Sequence, residues 1–346
     1  MKDERLRGCG HCKQTDSERG EDFLVHSEPD EIESHFRDMH IVIPDDYQDA
    51  VRSLDCFAKL QGHDVTIHRD TVKDVDALAQ RFADADALVL IRERTAITDA
   101  LLARLPRLKL ISQTGKGTAH IDVEACRARG IVVAVGTGSP YAPAELTWAL
   151  VLAAMRRIPQ EAARLRAGGW QSTLGTLLRG RTLGILGYGK IGSLVAGYGR
   201  AFGMRVIVRS GAASLERARV DGFEPASNLF AESDVVSLHV RLTKETRGLV
   251  TAADLAMMKR DALLVNTSRA ELIAPNALVD ALRAGRPGFA AVDVYEEEPI
   301  LGAAHPLLAL ENAVCTPHLG YVEKDSYELY FGQAFDHVLA FAAQLY

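Results

Sequence analysis

The chain has 346 residues, 47% of them hydrophobic and 25% charged, with a formal net charge of −6 and a pI near 6.0. Those fractions exclude disorder throughout and collagen-like or low-complexity scaffolds, and the acidity argues against a nucleic-acid-binding surface. The length predicts two domains, each with its own core. The longest strongly apolar run, 148–155, falls far below the roughly 18 residues of a membrane span, and no apolar leader follows the charged opening Met1-Lys2-Asp3-Glu4-Arg5. A cytoplasmic protein without membrane partners is expected.

Residues 1–38 carry eleven acidic and six basic residues without hydrophobic periodicity. Such a segment buries too little apolar area to offset its ordering entropy and is expected to be a disordered acidic tail. Met39 stands just before the first strand, so translation or folding is expected to start effectively there. The five cysteines, Cys9, Cys12, Cys56, Cys126 and Cys315, are too scattered for a disulfide framework. Cys9-Gly10-His11-Cys12 has redox or zinc-knuckle spacing but no second pair and no preceding strand, so no metal site is expected.

From Met39 onward, apolar runs alternate with amphipathic stretches. Strands are predicted at 41–43, 65–67, 87–91, 108–111 and 131–134, with a helix capped by Asp45 or Asp46, another near 75–82 and one starting at Thr98. This alternation implies a parallel sheet covered on both faces. Residues 141–158 read as one long helix, apolar nearly all round and therefore buried between domains or against a second subunit. Further strands are predicted at 182–186, 205–208, 235–239, 263–266, 288–292 and 313–315, then a closing helix at about 324–344. The reading is two α/β domains, the second doubly wound.

Gly187-Tyr188-Gly189-Lys190-Ile191-Gly192 lies between the strand 182–186 and a helix running to about residue 202. In that context a GxGxxG run is a dinucleotide fingerprint. Gly187 permits the tight turn, Gly189 lets a pyrophosphate approach the backbone, and Gly192 lets the helix pack on the sheet. The helix N-terminus supplies free N–H donors for phosphate. The acid that holds an adenosine ribose is replaced by Ser210, next to Arg209. A carboxylate would repel a 2′-phosphate, whereas serine and arginine do not, so NAD and NADP both stay open. The corresponding turn of the first sheet, Pro44-Asp45-Asp46, is a poor phosphate cradle, which assigns substrate to that domain.

Three further features follow later strands: Asn266-Thr267-Ser268-Arg269, Asp293-Val294-Tyr295-Glu296-Glu297-Glu298-Pro299 and Thr316-Pro317-His318-Leu319-Gly320. With the glycine motif, and in this order, they closely resemble the D-isomer-specific 2-hydroxyacid dehydrogenases, which include phosphoglycerate, glycerate/glyoxylate and D-lactate dehydrogenases. The resemblance covers residue 41 to the C-terminus. It implies two doubly wound parallel-sheet domains: a flavodoxin-like substrate-binding domain of residues 39–140 and 317–346, and a Rossmann NAD(P)-binding domain of residues 141–316. The activity implied is hydride transfer between NAD(P) and C2 of a small anionic 2-hydroxy or 2-keto acid, with D-3-phosphoglycerate and glyoxylate/hydroxypyruvate as the candidate substrates.

By the same resemblance, Arg269 holds the substrate carboxylate, a task suited to a planar two-pronged cation. His318 is the acid/base, a task for a group titrating near neutrality, and Glu298 supports its charged form. Asp293, His239 and Thr267 face the cofactor. Arg92 and Arg94 match positions that hold anionic substrates, or else pair with Glu93. Thr114, Gly115 and Lys116 resemble a loop whose amides bind a carboxylate, with Lys116 unusual there. Ala270, Arg241 and Tyr321 depart from the family pattern, Tyr321 in a way that narrows the pocket. A homodimer through helix 141–158 and hinges near 139–142 and 315–317 are also implied. Two other readings use the same scaffold: a non-catalytic NAD(H)-sensing corepressor-like protein, and a formate- or phosphite-type dehydrogenase.

Overall fold

The computed structural model describes residues 38–344. The acidic segment up to residue 37 and the Cys9–Cys12 pair lie outside the described residues. Five strands form the first sheet: β1 (His40–Ile43), β2 (Asp64–Ile67), β3 (Ala87–Leu90), β4 (Leu110–Gln113) and β5 (Val132–Val135). Their order is β2-β1-β3-β4-β5, and every pairing is parallel. The second sheet holds β6 (Thr182–Leu186), β7 (Arg205–Arg209), β8 (Glu224–Pro225), β9 (Val235–Leu238), β10 (Leu263–Asn266), β11 (Phe289–Val292) and β12 (Ala313–Cys315). It is also parallel throughout, in the order β12-β11-β10-β9-β6-β7-β8.

Central strands β3, β6, β9 and β10 are buried along their whole length. Their mainly apolar sequences are what a parallel sheet covered on both faces requires. In each sheet the strand order reverses at one place, between β1 and β3 in the first and between β6 and β9 in the second. Ligands of open α/β sheets bind outside the carboxyl ends of the strands at such switch points. The residues following β3, β6, β9, β10, β11 and β12 are therefore the ones to inspect for chemistry.

The chain returns to the first sheet at its end. The helix Lys324–Ala343 lays Tyr327, Phe331, Phe335 and Val338 against Ile41, Val89 and Leu110. Phe331 and Phe335 are essentially unexposed, and burying each stabilises the fold by roughly 1.5–3 kcal/mol. The helix Tyr141–Met155 packs Ala144, Trp148 and Val151 into the core of the second sheet.

Three elements differ from the sequence reading. The segment after β1 forms two 3₁₀ turns, Val51–Ser53 and Asp55–Leu60, rather than one α-helix. Asp46 does the capping work, its carboxylate accepting from the backbone N–H of Ala50 and Val51 at 3.1 and 3.0 Å. The long helix stops at Met155, because Arg157 takes a left-handed backbone (φ +58°), and a second helix, Ile158–Arg166, begins there. Burial is also one-sided, since Tyr141, Glu145 and Ala149 are exposed. The edge strand β8 was not anticipated, as two residues ending in Pro225 carry no strand periodicity.

Candidate active site

At the end of β6 the chain turns through Gly187, whose φ is +98°, a conformation that favours glycine. A side chain there would strike the carbonyl of His239, 2.7 Å from the ideal Cβ position. Gly192 is closed by the carbonyl of Gly187, so the helix Lys190–Ala201 sits directly on the turn. Gly189 is different: a Cβ there meets nothing within 4 Å. The turn therefore has one open backbone position, at the N-terminus of a helix that starts with Lys190. This is the geometry a diphosphate needs, and a dinucleotide fits the residues present.

Around that turn the side chains divide. Tyr188 is a core residue, its hydroxyl donating to Asp221 at 2.5 Å and its ring packing on Phe223. Its backbone N–H donates to Ser210 Oγ at 3.1 Å, which places Ser210 beside the turn. Arg209 is exposed, as is Lys190. Ile191, His239, Arg241 and Thr267 line a cavity of about 340 Å³ that runs from the glycine turn to His318. His239 is held by Ser237 Oγ at 2.9 Å, and burial pushes its pKa down to about 4, so its imidazole is neutral.

A second cavity, of about 500 Å³, adjoins the first and shares Arg92, Arg269 and His318 with it. His318 has a left-handed backbone (φ +53°), which costs a non-glycine residue energy and must be held by its surroundings. Asp293 does the holding. One oxygen accepts from Thr316 Oγ1 and Leu319 N at 2.6 and 2.7 Å, the other from Gly320 N at 2.9 Å. Asp293 is fully buried, and burial raises its pKa against those hydrogen bonds. The family resemblance places Asp293 at the cofactor; within the chain its hydrogen bonds go to the His318 loop.

His318 Nδ1 lies 2.6 Å from Glu298 Oε2. The same oxygen bonds Arg94, and Glu298 Oε1 accepts from Tyr295 N at 3.0 Å. Burial opposes the charged carboxylate, but the bond and charge of His318, the charge of Arg94 and the Tyr295 amide outweigh it, and the pKa falls to about 2. Arg94 also donates through Nε and Nη2 to Tyr321 Oη at 3.3 and 3.1 Å. With its side chain 8% exposed, Arg94 faces Glu298 and Tyr321 rather than open cleft. Behind it lies buried Asp45, also left-handed (φ +66°), accepting from Thr95 Oγ1 at 2.5 Å.

Arg269 and Arg92 are the guanidinium groups nearer the open cleft. Arg269 reaches Glu93 Oε2 at 2.9 Å and donates to the Ser268 carbonyl at 2.7 Å. Arg92, left-handed at φ +55°, lies over the rings of Tyr321 and Tyr330 at 5.3 and 5.6 Å. Thr114 is buried, accepting from Arg92 N at 3.0 Å and donating to Leu90 O at 2.8 Å. Gly115 makes room for the Arg92 guanidinium, and its amide is taken by Gln113 O at 2.8 Å. Thr114 and Gly115 thus support Arg92, while Lys116 is exposed and outside the walls of both cavities.

The structure thus brings together Arg92, Arg94, Arg269, Glu298 and His318 at the strand ends of both sheets. Sequence reasoning missed the pairing of Arg94 with Glu298 and of Glu93 with Arg269. The available signal was three charged residues, Arg92-Glu93-Arg94, placed directly after a buried strand, where an open α/β sheet gathers its ligand-binding groups.

Comparison with known proteins agrees with this geometry. Residues 148–320 match the family model "D-isomer specific 2-hydroxyacid dehydrogenase, NAD binding domain". The glyoxylate reductase of Aeropyrum pernix is 41% identical over 283 residues, covering 77% of this chain and 83% of that one. The D-3-phosphoglycerate dehydrogenase of Methanocaldococcus jannaschii is 39% identical over 71% of this chain, which spans about half (47%) of that longer protein. An oxidoreductase structure from Ralstonia solanacearum shares 58% identity with a TM-score of 0.85, covering 88% of this chain and 94% of that one. The chain belongs to the D-isomer specific 2-hydroxyacid dehydrogenases, NAD-linked oxidoreductases that act on the CH–OH group of hydroxy acids.

Proposed function

We propose that the protein interconverts a small 2-keto acid and its D-2-hydroxy acid between the two sheets, with His318 as the acid/base. The observation that carries this reading is the His318–Glu298 bond at 2.6 Å. It uses Nδ1 and leaves Nε2 without a protein hydrogen bond among the described residues, on the wall of a cleft shared with Arg269 and Arg92. Arg269 would hold the substrate carboxylate, with Arg92 adding positive potential. In reduction, the Nε2 proton passes to the carbonyl oxygen as C2 gains a hydride and becomes CH–OH; oxidation returns the proton to Nε2. Glu298 fixes the ring's orientation and tautomer through Nδ1, and Arg94 holds Glu298 in place.

When bound, the nicotinamide group supplies or takes up the hydride. Residues 187–192 would hold its diphosphate, with Thr267, His239 and Ile191 lining the way to His318. Ser210 and the exposed Arg209 beside the turn support use of NADPH as well as NADH, because no carboxylate stands there to repel a 2′-phosphate. Residues 39–140 with 317–346 serve the substrate, and residues 141–316 the cofactor. A homodimer forms through the helix Tyr141–Met155 and the segment after it, where Trp170, Leu174 and Leu177 are exposed.

The test is an assay of purified protein with NADH and NADPH against glyoxylate, hydroxypyruvate, pyruvate and bulkier 2-keto acids. Turnover that falls at least 100-fold in His318→Gln, with cofactor binding retained, is expected. Cofactor binding without reduction of any keto acid would favour a sensor and refute the reading.

A further inference from the structure

The wall of the larger cavity carries five glutamates against four cationic side chains. Of the cations, Arg94 is bound to Glu298 and Arg269 to Glu93, which leaves Arg92 and Lys73 without a carboxylate partner among the described residues. Glu296 pairs with His305 at 3.1 Å and Glu271 with Arg247 at 3.7 Å, and Glu297 has no ion pair among the described residues. The cleft is therefore matched to little more than one negative charge.

Glu93 is the acid nearest the proposed carboxylate site. Its pair with Arg269 is partly open to water, the side chains being 35% and 37% exposed, and a pair of that kind is weakly held. A substrate carboxylate, reaching Arg269 with two oxygens, can displace it. The Glu93 backbone lies between Arg92 and Arg94, and its carboxylate lies against Gly117, which has no side chain. The displaced carboxylate loses its partner within side-chain reach of the bound substrate.

Resting on the function proposed above, we propose that Glu93 sets the substrate class: it admits 2-keto acids with a single negative charge and rejects those that carry a phosphate as well. A phosphoryl group on C3 would bring about two more negative charges next to Glu93, with Lys73 and Arg92 alone to offset them. The discrimination is electrostatic rather than steric, because a cavity of about 500 Å³ has room for a phosphate.

The experiment compares kcat/KM for hydroxypyruvate and for its 3-phosphate, in the wild type and in the isosteric variant Glu93→Gln. The wild type should prefer the unphosphorylated acid at least tenfold. Glu93→Gln should shrink that preference at least threefold, chiefly through KM for the phosphorylated substrate. In parallel, calorimetry measures binding of D-glycerate and D-3-phosphoglycerate to both proteins, and the same threefold narrowing is expected. A wild-type preference for the phosphorylated acid, or a narrowing below threefold, overturns the proposal. Absence of turnover would refute the dehydrogenase reading alone, since the two binding ratios still decide the role of Glu93.

Discussion

Arg94 and His318 meet at a single atom, Oε2 of Glu298, one from the loop after β3 and the other from the loop after β12. The carboxylate bonded to His318, the proposed acid/base, is thus gripped from the opposite sheet, and Tyr321 takes the remaining Arg94 donors. Arg94→Ala should lower kcat about 10–100-fold with a smaller change in KM, because the residue orients Glu298 rather than touching substrate. Removing one partner of a buried ion pair should also destabilise the fold by about 3–5 kcal/mol. Steady-state kinetics and thermal melts check both, and a rise in KM alone would make Arg94 a substrate ligand instead.

Glu298 also gives a pH signature of stability. Its carboxyl falls from the usual 4.5 to about 2 in the folded protein, so on acidification the unfolded chain takes up the proton first. The stabilisation is complete above about pH 4.5 and drains away toward pH 2, amounting to at most about 3 kcal/mol. Urea unfolding between pH 3 and 6 should show a steeper acid loss in the wild type than in Glu298→Gln. Equal slopes would mean that the carboxylate is not held by His318 and Arg94.

Why one half of this site is legible in the sequence and the other is not follows from distance along the chain. The strands read well because β3, β6, β9 and β10 are short, mainly apolar runs, a local signal. The glycine turn reads well because Gly187 and Gly192 meet steric demands and Gly189 leaves the backbone open, all within six residues. The pairs Arg94–Glu298 and Glu93–Arg269 span 204 and 176 residues. No periodicity carries such information; it is created when the two sheets meet. The break at Arg157 is marked only by Pro159 two residues on, since the left-handed residue itself is an arginine rather than a glycine.

The glycines offer a paired test. Gly189→Ala meets open space, so the melting temperature should stay within about 2 °C of the wild type while the added methyl group weakens dinucleotide binding at least tenfold. Gly192→Ala places its Cβ against the Gly187 carbonyl and should lower the melting temperature markedly, together with cofactor binding. Differential scanning fluorimetry with and without NADH separates the two effects. Equal destabilisation by both would leave Gly189 without a role toward a ligand.

The exposed apolar side chains beyond the helix Ile158–Arg166 predict self-association. Leu174 is 96% exposed, with Trp170 and Leu177 exposed as well, an unfavourable arrangement unless something covers it. Sedimentation velocity should find a dimer in the wild type and a shift toward monomer in the double variant Trp170→Glu, Leu174→Glu. A monomeric wild type would remove the proposed subunit contact.

The proposed use of both cofactors rests on Ser210, whose Oγ accepts from Tyr188 N at 3.1 Å beside exposed Arg209. An aspartate in its place could keep that hydrogen bond, and its second oxygen could accept from a ribose 2′-hydroxyl. The same charge would repel a 2′-phosphate. Ser210→Asp should therefore lower the ratio of kcat/KM for NADPH to that for NADH at least tenfold, with KM for the keto acid unchanged. Arg209→Ala should weaken NADPH alone, because only the phosphate needs the guanidinium. Initial rates with each cofactor at saturating keto acid supply both numbers. If both variants keep the wild-type ratio, these two side chains do not read the ribose, and the preference is set elsewhere on the turn.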